Sequence, residues 1–236
     1  MEKRSRAWIN GFIGVVIFAG SLPATRVAVA DFDPIFLTCA RATIAALPGL
    51  ALLLLLRQPR PKASDMPSLA LSALGCVVGF PLLTALALQH VSSAHSIVFL
   101  GLLPLCTAIF AVIRGGERPR PAFWFFSIAG STFVVGYAAM GSLEGNLQGD
   151  LLMLAAVVIC GLGYAEGARL SRTLGGWQVI SWSLVLSLPI MLPIALLVIP
   201  VSFEHIGIPA WISLAYVSFF NHVFYVFRTE KGSAAS

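Results

Sequence analysis

Charge is what this sequence has least of. Only 11% of its 236 residues are Asp, Glu, Lys or Arg, against about 25% in ordinary globular domains. That scarcity excludes a conventional soluble surface. A hydrophobic content of 58% and a mean hydropathy of +0.90 point the same way, to an integral membrane protein. Long polar linkers, low-complexity tracts and any separate soluble domain are also missing. Cys39, Cys76, Cys106 and Cys160 each stand in a different apolar run, with no C-x-x-C pair and no histidine cluster beside them. Metal ligation therefore has no support, and the thiols read as small buried hydrophobes. No Gly-rich phosphate loop, H-E-x-x-H, nucleophile elbow or paired acid–base carboxylates occur. An enzyme is disfavoured, and no cofactor or metal is expected.

What is present is apolar length. Runs cover residues 8–29, 34–56, 67–88, 91–113, 122–141, 148–168, 177–200 and 208–227. About 20 apolar residues at a rise of 1.5 Å cover the ~30 Å hydrocarbon core of a bilayer. Only helices or closed barrels satisfy the backbone there, so the runs predict an all-α polytopic membrane protein with a bundle of eight transmembrane helices. Ala28-Val29-Ala30 resembles a signal cleavage site, but Pro23 and Arg26 separate it from the apolar run. The segment is read as a retained first helix.

The net charge of +5 would suit nucleic acid, but its distribution indicates topology instead. Lys3, Arg4 and Arg6 precede the first span. Arg57, Arg60 and Lys62 fall in the second connection, Arg114, Arg118 and Arg120 in the fourth, Arg169 and Arg172 in the sixth, and Arg228 and Lys231 in the tail. The intervening connections carry only Asp31, Asp33, Glu144, Asp150 and Glu204. This alternation obeys the positive-inside rule and puts both termini in the cytoplasm. No nucleic-acid partner is expected.

Arg26, Arg41 and Glu166 fall inside predicted spans. A charge at membrane depth costs about 2.5–3.5 kcal/mol on the insertion scale, so it faces a partner or a wet cavity, or snorkels to the interface. Snorkelling suits Arg26 and Glu166. Arg41 is too deep for that, and its guanidinium would suit an anionic or zwitterionic substrate group. His90 and His95, near the outer start of the fourth helix, could couple protons but read first as hydrogen-bonded interfacial residues. Pro23, Pro81, Pro104, Pro189 and Pro193 interrupt spans, and each frees a backbone carbonyl. Gly75-x-x-x-Gly79 and Gly163-x-x-x-Gly167 would let helices approach closely.

At this point the residues resemble a known family. Ala19-Gly-Ser-Leu-Pro-Ala-Thr-Arg26 resembles the W-G-S/T-N-F-x-x-x-K/R segment that opens EamA-type domains of the drug/metabolite transporter superfamily. Arg41 in Cys39-Ala-Arg-Ala-Thr-Ile-Ala-Ala-Leu47 matches that family's helix-2 arginine. Leu86-Ala-Leu-Gln-His90, Pro104 and Gly116-Glu117-Arg118 match its helix 3–4 turn, helix-4 proline and terminal G-E-R, and Gly149-Asp150-Leu-Leu resembles the opening of a second repeat. The similarity runs over residues 10–200. Ala19 and Cys160 depart from the pattern, each standing where an aromatic is usual.

The resemblance implies a ten-helix transporter of two inverted five-helix repeats. Residues 1–141 would be the first repeat, 148–227 an incomplete second repeat, and 228–236 a cytoplasmic tail. The chain then reads as a form truncated at its C-terminus, without helices 9 and 10. The function implied is a secondary transporter, an exporter of small metabolites or amino-acid-like compounds in a bacterial inner membrane, working by alternating access. The alternative is a non-transporting scaffold or gene remnant. Pathway candidates are Arg41, His95, Pro104, Gly161, Tyr164 and Glu166, with Gly20, Arg26 and Glu117 as structural motif residues. The expected partners are a small-molecule substrate and the bilayer, with a homodimer as a further possible assembly.

Overall fold

The computed structural model describes Phe12, Val16 and residues 18–141 and 146–219. Expectations for Lys3, Arg4, Arg6, Glu144, residues 220–227 and the tail fall outside them. The described residues form eight helices in chain order and no strand: α1 (Ser21–Asp31), α2 (Pro34–Leu55), α3 (Ala63–Ala87), α4 (Ser93–Gly115), α5 (Pro121–Gly141), α6 (Leu147–Leu174), α7 (Gly176–Leu197) and α8 (Ile208–Phe219). Among them α2, α3, α4, α6 and α7 are each long and apolar enough to cross a bilayer unaided. Large apolar side chains such as Phe125, Phe126, Phe133 and Leu197 are exposed, while thirteen Ser, Thr and Glu residues are buried. That inversion suits a bundle solvated by lipid, where small polar residues let helices pack closely.

Local chemistry sets the helix ends. Asp33 caps α2, its Oδ1 accepting from the N–H of Ile35 at 2.8 Å and of Phe36 at 3.1 Å, with Pro34 in the first turn. Asn146 caps α6 by accepting from the Gln148 N–H at 2.9 Å. At the other end of α4, Gly116 adopts φ 64°, and the Glu117 N–H reaches back to the Ala111 carbonyl at 3.3 Å. A left-handed C-terminal position is where glycine is needed.

Two helices are broken inside the bundle. Pro104 leaves the Leu100 carbonyl without its usual donor, and α4 divides into Ser93–Leu100 and Leu103–Gly115 around a tight turn. In α3, Pro81 follows a π-helical segment, Ala73–Gly79, whose last bond runs from the Phe80 N–H to the Gly75 carbonyl.

The ends of the bundle alternate as the charges require. At one end lie Arg57, Arg60, Arg114, Arg169 and Arg172; at the other lie Asp31, Asp33, Asp150 and Glu204. One expectation needs correcting. Arg169 and Arg172 are not in a connection but on the last turns of α6, because α6 runs on to Leu174 and meets α7 through Gly175 alone, at φ 90°.

Helix α7 packs along α2, and α6 lies against α3 and α4, while α5 packs chiefly against α4 at the rim. The crossing of α3 and α6 is backbone on backbone. A Cβ added to Gly75 would lie 2.6 Å from the Ile159 carbonyl oxygen and 2.7 Å from Gly163 Cα. Gly75→Ala should therefore force the helices apart, costing about 1–3 kcal/mol by overpacking. Thermal unfolding in detergent should show a lower midpoint for Gly75→Ala. Gly130→Ala, where nothing lies within 4 Å, should leave the midpoint unchanged or slightly raised.

Candidate functional site

Six of the eight helices, all but α4 and α5, surround a cavity of about 340 Å³. Its walls are mostly apolar, with Phe18, Leu22, Val77, Phe80, Ile180 and Leu184 among them. Size and lining fit a small-molecule site. From Thr84 near the acidic end it extends down α3 to Ser72, and on α6 and α7 to Ser171 and Gly176 at the basic end.

Arg41 is the one charged residue among the described residues lining this cavity. It stands seven residues into α2, about 10 Å from the helix start. Its neighbours Cys39, Ala42, Ala45 and Ala46 are buried against Val77 of α3 and Leu184, Met191 and Ala195 of α7. These small side chains bring α7 close and leave the long arginine only the cavity to enter. No hydrogen bond or ion pair reaches it from any described residue. A guanidinium at membrane depth that finds no counter-charge among the described residues is electrostatically incomplete, and an anion would complete it. Two hydroxyls share the cavity in the same condition: Thr84 Oγ1 and Ser183 Oγ are buried without a partner. Tyr164 lines the wall beside the Cys160 thiol one turn away.

The acidic end of the cavity is closed by α1, α2, α3 and α8. Leu22, Val29, Phe32, Phe36, Leu37, Leu88 and Leu214 form one buried cluster there. Phe32 meets Trp211 edge-on at 5.1 Å, and Phe36 at 5.6 Å between ring centroids. The Gly207 N–H donates to Asp31 Oδ2 at 2.9 Å across the same end. Arg26, read from the sequence as snorkelling, instead donates to the Leu88 carbonyl just beyond α3, where a cation complements the helix C-terminus.

Of the six pathway candidates, the cavity brings together Arg41 and Tyr164. The other four lie elsewhere. His95 Nε2 sits 2.7 Å from Asp150 Oδ1 and ties the start of α4 to that of α6. Pro104 marks the break in α4, and Gly161 lets α4 close on α6, since a Cβ there would meet Cys106 Cβ at 2.7 Å. Glu166 does not snorkel. It is fully buried, its Oε1 accepting from Arg114 Nε at 2.5 Å and its Oε2 paired with Arg169 at 3.0 Å, while Arg169 also donates to Ser68. Glu117 pairs with Arg172, a second bridge from the end of α4 to α6. Gly20 lies flat against the Tyr216 ring of α8, with no room for a side chain. Thr84, Ser183 and Cys76 were missed in the sequence because small residues in apolar runs carry no signal of which face they occupy.

Comparison with known proteins accords with this geometry. The EamA-like transporter family profile matches residues 6–137. Uncharacterized transporter YdeK of Bacillus subtilis (strain 168) is 62% identical over 221 residues, which are 94% of this chain and 77% of that protein. A probable terminal-alkyne amino-acid exporter of Streptantibioticus cattleyicolor is 24% identical over 81% of this chain, and the match spans 65% of the exporter's own length. A solved crystal structure shares the fold with a TM-score of 0.64 at 21% identity, over 94% of this chain and 78% of that one. With a family match over more than half its length and a close relative named as a transporter, this integral membrane chain belongs to the EamA-like transporter family.

Proposed function

We propose that the chain is a secondary transporter of a bacterial inner membrane, exporting small metabolites or amino-acid-like compounds that carry a carboxylate and an apolar body. One observation carries this reading: among the described residues Arg41 has no partner and is the lone charge lining a mostly apolar cavity between helices. Paired guanidinium–carboxylate geometry would orient the cargo, and the apolar wall would take its side chain. The name of the exporter relative supports an amino-acid cargo.

Alternating access between two inverted repeats is the mechanism that fits best. If residues 1–141 and 148–227 are the repeats, a two-fold axis relates α3 to α8 and α6 to α1, and maps the α2–α7 pair onto itself. The contacts observed support that relation: α2 with α7, α3 with α6 at Gly75, and α1 with α8 at Gly20. By the positive-inside rule the basic end is cytoplasmic, with both termini on that side. The present arrangement then has its closure on the outside and its cavity reaching inward, ready to load cargo for export.

Counterflow of a radiolabelled apolar amino acid in proteoliposomes tests the reading. Losing a hydrogen-bonded charge pair of about 1.5–3 kcal/mol should lower apparent affinity roughly ten- to hundredfold in Arg41→Ala, with Arg41→Lys intermediate. Normal flux in Arg41→Ala would remove this arginine from the site. Wild-type protein that inserts but carries nothing would favour the non-transporting alternative. Closure is tested separately in a variant keeping Cys76 and replacing the other three cysteines by alanine. A membrane-impermeant maleimide should reach Cys76 from the basic side only, and Trp211→Ala should open a route from the acidic side. Equal labelling from both sides before that substitution would refute an outer closure.

A further inference from the structure

The break in α3 coincides with the cavity. The π segment Ala73–Gly79 closes with the Phe80 N–H reaching five residues back to the Gly75 carbonyl. The next carbonyl, that of Cys76, would need the N–H of residue 81. Residue 81 is proline and has none. If the ladder returns to α spacing there, the Val77 carbonyl loses its donor to the same proline. So the Cys76 carbonyl has no intrahelical partner available.

Helix carbonyls point along the axis toward the C-terminus, which places this oxygen between Cys76 and Phe80, one turn on. Cys76, Val77, Phe80 and Pro81 all line the cavity. The freed oxygen therefore faces the cavity and not lipid, the condition under which an irregular membrane backbone is tolerated. Thr84, one turn beyond Phe80 on the same face, is 2% exposed and its Oγ1 is likewise unpartnered. Cys76 stands eleven residues from the outer end of α3, about 16 Å, and Arg41 about 10 Å from the same side. The two groups differ in depth by about one helical turn. Yet Arg41 bonds to no described residue, this carbonyl included.

We propose that the carbonyl freed by the π segment and Pro81 is a cation subsite that receives the ammonium of a zwitterionic α-amino acid whose carboxylate rests on Arg41. This rests on the transporter reading above and narrows it, from any small carboxylate to an amino acid with an apolar side chain. The cavity holds no carboxylate among its described lining residues, so a bare carbonyl is the strongest cation acceptor it offers. Neutral oxygens suit the task, because a buried carboxylate would pair with Arg41 in the empty site and compete with the cargo.

Three probes separate the charges: L-norleucine, its deaminated analogue hexanoate, and its decarboxylated analogue n-pentylamine. Binding is measured by titration calorimetry on the full chain in nanodiscs. Wild-type protein should bind norleucine at least about tenfold more tightly than hexanoate, the usual worth of one charge-assisted hydrogen bond. Pro81→Ala restores an N–H able to occupy the carbonyl. It should bring norleucine down to the hexanoate level and so abolish the preference, and Pro81→Gly should do the same. Arg41→Ala should abolish hexanoate binding and should not weaken pentylamine binding. An undiminished norleucine preference in Pro81→Ala overturns the carbonyl subsite and leaves the carboxylate site standing. No preference in wild-type protein overturns it too. Loss of both norleucine and hexanoate in both proline variants assigns Pro81 to folding and also overturns it. Hexanoate binding intact in Arg41→Ala strikes instead at the transporter reading beneath it.

Discussion

A backbone in hydrocarbon must satisfy its own hydrogen bonds, and the rest of this structure follows from where it does not. Lipid offers no donor or acceptor, so an unbroken helix is the default and each interruption needs a sheltered setting. The interruption at Pro104 falls between α4 and its neighbours, where Leu102 is buried against Met153 and Val157 of α6. The π segment before Pro81 falls on the cavity, with Gly75 pressed on Gly163 behind it. The close glycine crossing and the irregular stretch are two faces of one device. Packing against α6 fixes the back of α3, and the front then carries exposed backbone into the cavity.

Two arginine environments show how the same side chain is put to opposite uses. Arg114 and Arg169 converge on Glu166, so the buried carboxylate there is paired within the protein. Removing a partner from such a buried cluster costs about 3–5 kcal/mol, so its role is to hold α4 and α6 together. Arg41 has the same chemistry and no partner among the described residues. A charge left unmatched inside a membrane protein weakens the fold unless something else is gained. On the function proposed above, the gain is an affinity for anions that a neutral cavity would lack. The difference lies in which helix face each residue occupies, and that is set by packing.

Much of the fold was legible because it depends on long runs and on counts. The eight apolar runs became eight helices, and the alternation of Arg57, Arg60 and Arg114 with Asp31, Asp33 and Asp150 identified the two ends. The glycine pairs at 75 and 163 announced a close approach, though not that they meet each other. The site was less legible. Arg41 stood out because a lone charge in an apolar run has few explanations. Glu166 stood out equally and proved to be paired, one partner being Arg169 on its own helix and the other Arg114 of α4, some 50 residues away in sequence. Thr84, Ser183 and the π segment gave no sign, because hydroxyl and carbonyl partners are settled by neighbouring helices. Pro81 hinted at a break but could not say whether it faced lipid, protein or cavity.

The two ends of the bundle are held by different chemistry, and this bears on which end yields. The acidic end depends on apolar burial and aromatic contacts among Phe32, Phe36, Phe203 and Trp211. Each aromatic pair adds about 0.5–1.5 kcal/mol beyond its buried area, and such contacts can slide without leaving a charge exposed. The basic end combines the Glu166 cluster with the apolar contacts of Leu69, Leu170 and Val179. Separating α4 from α6 there would take Arg114 from a buried carboxylate and leave it only Arg169 of its own helix, whereas α3 and α7 meet α6 largely through side chains that can be rewetted at modest cost. A rocking motion that keeps α4 and α6 as one body therefore avoids the most expensive step. It would open the acidic end by moving Trp211 of α8 off Phe32, with the Gly75–Gly163 crossing as the pivot on which α3 would turn against α6.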